Sequence, residues 1–100
     1  MARLTWTPEA VSSIRDIYDF IARDRPETAR RTVESILNKV DALAAYPDTG
    51  QPYRYTGSRL DVRTIQYGNF RVAYLVEDGE VVVLGVFHGL IFLPMSGGQI

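Results

Sequence analysis

A chain of 100 residues is long enough for one domain with a single modest core and too short for a second. Its 11 basic and 12 acidic side chains leave a formal charge of −1, which excludes binding to nucleic acid or anionic lipid through a bulk field. The absence of cysteine excludes a disulfide framework and thiolate chemistry and is compatible with a reducing cytosol.

Met1 to Ala10 contains no apolar leader, and no apolar run approaches the roughly 20 residues of a membrane span. The expectation is a cytoplasmic single domain over residues 1–95, with residues 96–100 as a disordered tail and no membrane association.

Leu4 and Trp6 alternate with Arg3 and Thr5, the pattern of a short half-buried strand. Thr7-Pro8-Glu9 then starts a helix: a hydroxyl to cap orphan amides, a proline at the first helical position and an acid at the positive end of the dipole. Val11, Ile14, Ile17, Tyr18 and Ile21 draw its apolar stripe. Arg25-Pro26 ends that helix and opens another, in which Ala29, Val33, Ile36, Leu37, Val40, Leu43 and Ala44 share a face. Two such helices form an αα-hairpin whose stripes must be buried against each other and against a sheet. Tyr46 to Pro52 is a loop rich in proline and glycine, and Tyr53-Arg54-Tyr55 carries the chain onward.

The stretch from Arg59 to Gly89 reads as a three-stranded antiparallel meander. Asp78-Gly79 between two apolar runs is a strong hairpin signal, because a type I′ turn needs positive φ at both central residues. Gly68-Asn69 is a weaker second turn. Counting outward from two-residue loops pairs Phe70 with Phe87, Val72 with Gly85, Tyr74 with Val83 and Val76 with Val81, beside Ile65 and Tyr67. This set is the expected core face. The opposite face collects Leu75 with Val82, Ala73 with Leu84 and Arg71 with Val86, bordered by Val62, Thr64, Gln66 and His88. That face is unusually apolar, so something is expected to cover it. Beyond it lie an apolar tail, Leu90 to Met95, and residues 96–100.

No metal-ligand pattern, phosphate loop or nucleotide fingerprint occurs, so no metal and no cofactor are expected. His88 is the one side chain whose unperturbed pKa lies near neutrality, and the counted register brings it to Arg71 and Gln66. Arg71, His88, Gln66 and Arg63 are therefore the candidate activity site. The structural alternative is a strand-end histidine bonded to backbone.

The order β-α-α-β-β-β, the Pro-Glu and Arg-Pro-Glu-Thr-Ala helix openings, the Tyr46 to Pro52 loop, Gly68 to Tyr74 and Val86-Phe87-His88-Gly89 together resemble ParE/RelE-type toxins of type II toxin–antitoxin modules. The resemblance spans residues 3 to 94 and is closer to the ParE-like branch. It implies an α+β fold, a helical hairpin packed on one face of an antiparallel sheet. It also implies a cytoplasmic growth inhibitor neutralised by a cognate antitoxin on the apolar face, at Arg71, Ala73, Leu75, Val82, Leu84 and Val86.

ParE-like members inhibit DNA gyrase, so gyrase is the implied target, with no direct DNA binding in the antitoxin's absence. RelE-like members instead cleave mRNA on the ribosome with several lysines and arginines. Arg71 matches the arginine of the family's Tyr-Arg strand, but Val62, Thr64, Leu90 and Ile91 fall where further cations belong. That favours no catalytic residues and action by protein binding. The ribosome-dependent endonuclease and an inactive partner-binding module are the alternatives.

Overall fold

The computed structural model describes residues 1–53 and 61–89. The expectations for Arg54, Tyr55, the Leu90 to Met95 tail and residues 96–100 lie outside them. The elements are β1 (Arg3–Trp6), α1 (Pro8–Ala22), α2 (Pro26–Asp41), β2 (Gln51–Pro52), β3 (Asp61–Tyr67), β4 (Phe70–Glu77) and β5 (Glu80–His88), and the sheet order is β1-β5-β4-β3-β2. β1 runs parallel to β5 and the other neighbours are antiparallel. The helical hairpin packs on one face of this sheet, as expected. The two-residue strand β2 was not foreseen; it pairs Gln51 with Thr64 and Pro52 with Arg63 at the sheet edge.

Each boundary has a local cause. The Thr7 hydroxyl accepts the Ala10 amide at 3.0 Å and caps α1, and proline opens both helices. Asp78 and Gly79 have φ of 48° and 73°, the type I′ pattern, while at the other turn only Gly68 is positive, at 56°, as a type II′ turn requires.

The core lies between helices and sheet. Ala10, Ile36, Val40 and Leu43 meet Val72, Tyr74, Val81, Val83 and Val86, with Leu4, Trp6, Ile14, Ile17, Tyr67 and Phe70 packed around them. Trp6 is thus a packing residue. Val11, Tyr18 and Leu37, drawn on the apolar stripes, sit at the rims and are 37–38% exposed. The inward line of α1 runs through Ala10 instead, because its small side chain lets the helix approach the sheet.

The counted register holds for the first four pairs of the β4–β5 hairpin and then fails. Glu77–Glu80 to Tyr74–Val83 pair as expected, but an irregularity between Ala73 and Tyr74 makes Leu84 an extra residue, and Ala73 pairs with Gly85, Val72 with Val86, Arg71 with Phe87 and Phe70 with His88. A one-residue slip exchanges faces. Val86 therefore enters the core at 3% exposure, opposite Val72, where the simple count placed Gly85. Filling that position with valine avoids a void in the core, and the released glycine lies under a ring: a Cβ on Gly85 would stand 2.8 Å from the Phe87 ring. Ser13 on α1 secures the slip. Its hydroxyl accepts the Val86 amide at 2.9 Å and donates to the Ala10 carbonyl at 2.9 Å.

Candidate functional site

The sheet face away from the helices is a grid set by strand register. Val62, Leu75 and Val82 form one row, Thr64, Ala73 and Gly85 the next, and Gln66, Arg71 and Phe87 the third. The middle row carries small side chains between an aliphatic row and a row holding a guanidinium and an aromatic ring, and that ring, of Phe87, lies over Gly85. Val62 and Ala73 are buried, at 6% and 3% exposure.

Of the six residues expected to meet an antitoxin, Arg71, Ala73, Leu75 and Val82 lie on this face, and Leu84 is the half-buried extra residue of the slip. Val86 does not: the slip turns it to the helices, and its place beside Arg71 is taken by Phe87.

The four-residue activity site is divided in the same way. Gln66 and Arg71 are cross-strand neighbours on the outer face. His88 pairs with Phe70 on the helix side, their rings meeting edge-on with centroids 5.2 Å apart, and it lines an apolar cleft with Asp16, Ile17, Phe20 and Ile21. Arg63 is also on the helix side, opposite Tyr74. It is held by Asp61 at 2.9 Å and donates to the Gly50 carbonyl at 3.0 Å and the Asp48 carbonyl at 3.3 Å. The expected contact of His88 with Arg71 and Gln66 is therefore incorrect, because the counted register has no provision for the extra residue Leu84.

Instead, the structure gathers other polar groups at the edge of β3. A cleft of roughly 270 Å³ is lined by Lys39, Thr49, Gln51, Thr64, Gln66 and Arg71. β2 stops at the Gln51–Thr64 pair because the Thr49 amide turns back to the Tyr46 carbonyl at 3.1 Å. The Lys39 ammonium takes the next position along the edge, donating to the Gln66 carbonyl at 2.7 Å. Lys39 is 27 residues from Gln66, and nothing in its local sequence marks it apart from other lysines on a solvated helix face. Arg71 is half-buried, and its side chain makes no hydrogen bond or ion pair with any described residue.

Beneath this edge Tyr74 fastens the loop to the sheet. Its hydroxyl donates to the Pro47 carbonyl at 2.7 Å and accepts the Gly50 amide at 2.8 Å. Burial pushes its phenol pKa above 10.0, partly offset by the Gly50 hydrogen bond. Among the described residues no group of three or more histidine, aspartate or glutamate side chains is placed to hold a metal, and no helix is long and apolar enough to cross a membrane.

Comparison with known proteins gives a consistent result. The model of the ParE toxin of the type II toxin–antitoxin system parDE matches residues 4–90. The protein Y4kP of Sinorhizobium fredii is 40% identical over 87 residues, 86% of each chain. Toxin RelE2 of Caulobacter vibrioides is 30% identical over 88 residues, 88% of this chain and 96% of its own. Among solved structures, the chromosomal ParDE toxin–antitoxin system from P. aeruginosa superposes with a TM-score of 0.73 at 28% identity, covering 89% of this chain and 97% of that one. The Mycobacterium tuberculosis RelBE2 toxin–antitoxin complex, at a TM-score of 0.66 and 20% identity over 87% and 96% of the two chains, shares the fold. With the helical hairpin, the five-stranded sheet and a family match over residues 4–90, the chain belongs to the ParE toxin family of type II toxin–antitoxin systems.

Proposed function

We propose that this chain is a ParE-like growth inhibitor that acts by binding protein, with DNA gyrase as its target, and that a cognate antitoxin neutralises it by covering the outer sheet face. The observation that carries the reading is the separation of its candidate catalytic groups. Cleaving RNA through its own 2′-hydroxyl needs a proton acceptor, a proton donor and cations around one phosphate. Here His88 and Arg63 lie on the helix side, Arg63 is committed to Asp61 and the loop, and Arg71 is on the opposite face. Losing one stabilising cation typically costs ~10²-fold in rate, and binding a protein target has no such requirement. The P. aeruginosa ParDE system, similar at 28% identity, supports the same branch.

The similarity to toxin RelE2 favours a second reading, the ribosome-dependent mRNA endonuclease. Both are tested with purified protein. Inhibition of gyrase supercoiling, with mRNA intact in a translating extract, is the expected result. Codon-positioned mRNA cuts that vanish with Arg71→Ala, without an effect on supercoiling, would establish the endonuclease instead.

A further inference from the structure

We propose that the cleft at the β3 edge is an anion site that takes the carboxylate of an acidic side chain, carried by an apolar peptide segment lying along the outer sheet face. The inference rests on the reading of that face as the antitoxin surface and deepens it by naming what the partner must present.

Three observations lead there. Arg71 is half-buried, its guanidinium has no hydrogen bond or ion pair with a described residue, and it lines the same cleft as Lys39, so two cationic side chains share this site. Lys39 spends one of its three donors on the Gln66 carbonyl, the Gln66 side-chain amide donates to the Gly68 carbonyl at 3.0 Å, and no carboxylate is among the described residues lining the cleft to balance the two cations. A planar guanidinium presents a two-pronged donor set that matches a carboxylate, and the remaining ammonium protons and the Thr64 hydroxyl supply further donors at the same cleft.

The surroundings select a peptide over a nucleic acid. Phosphate backbones are bound by rows of cations, whereas the grid next to Arg71 continues through Ala73, Leu75 and Val82 and the whole chain has a charge of −1. An extended or helical segment with apolar residues over Leu75 and Val82 and one acid near Arg71 fits both halves of the face.

The test uses the full chain labelled with ¹⁵N and three probes: an acetylated, amidated Leu-Leu-Ala-Glu peptide, the same peptide ending in glutamine, and a single-stranded RNA oligonucleotide. The glutamate peptide is expected to shift the Arg71 Nε–H and Gln66 amide resonances. Its affinity should fall at least about tenfold in Arg71→Gln and in Lys39→Gln, and the glutamine peptide should bind no better than those variants. Unchanged spectra outside the cleft verify that both variants are folded. Equal binding of the two peptides, or insensitivity to both substitutions, would overturn the proposal. So would RNA displacing the glutamate peptide with higher affinity, which would assign the cleft to phosphate. Co-purified antitoxin separates this inference from the one beneath it: loss of the complex with Leu75→Glu but not with Arg71→Gln would dismiss the acid pocket and leave the antitoxin face standing.

Discussion

Tyr74 is fully buried yet carries a hydroxyl, and its two hydrogen bonds account for how that is tolerated. Replacing it with phenylalanine would keep the ring but leave the Gly50 amide and the Pro47 carbonyl unpaired, at a cost of about 1–3 kcal/mol. Chemical denaturation should register that loss. The same residue sets an alkaline limit. Folding raises the phenol pKa above 10.0, so the folded state holds this proton more tightly than the unfolded one. The associated stability is fully present below pH 10.0 and is lost as pH rises through the higher folded value. Denaturation midpoints measured from neutral to strongly alkaline pH should fall less steeply for Tyr74→Phe than for the wild type. Gly50 completes this arrangement, since a Cβ there would stand 2.5 Å from the tyrosine oxygen and 2.8 Å from the Thr64 carbonyl.

At the scale of elements, the decisive feature is the slip in β5 and its contact with α1. The Val86 amide, displaced from the regular ladder, would be an orphan donor next to the core, and the Ser13 hydroxyl supplies its acceptor from a helix 73 residues away. The Thr7 amide is tied to the Val83 carbonyl at 3.1 Å on the other side of the extra residue. α1 is therefore clamped to β5 at both ends of the irregularity. Ser13→Ala removes one clamp and should cost about 1–2 kcal/mol, since the lost acceptor is not replaced. Native-state hydrogen exchange should show the Val86 amide opening faster while the Val81 amide, in the regular part of the hairpin, keeps its protection.

For the molecule as a whole, the sheet divides two tasks between its faces. The helix side stores the stability, through Tyr74, Val72, Val81, Val83 and Val86, and the outer side offers a grid that is aliphatic at one end and cationic at the other. Leu75→Glu, placed on the outer row, should leave thermal melting close to wild type and weaken antitoxin binding by about 100-fold or more, because it buries a charge in a desolvated contact. Val86→Glu should instead abolish cooperative unfolding. Co-purification with the antitoxin and circular-dichroism melts on both variants make the comparison. Wild-type binding by Leu75→Glu would show that the outer face is not the partner surface, and an unfolded Leu75→Glu protein would show that Leu75 belongs to the core.

The chain alone specified its local structure because the physical causes were local: proline at the start of each helix, positive φ at Asp78 and Gly79, and alternation at Leu4 and Trp6. It specified the family as well, through the order of those signals. It did not specify the register past Tyr74. From Val81 to Val86 the strand lacks the polar alternation that would pin one face outward, so a one-residue slip carries no local penalty. Only packing chose between glycine and valine as the core residue opposite Val72, and only a serine brought in by the folded helix satisfied the amide left over. That choice moved His88 away from Arg71. The same limit applies to Lys39, whose place at the end of β2 depends on how the helical hairpin lies across the sheet, a relation that exists only once residues 27 positions apart have been brought together.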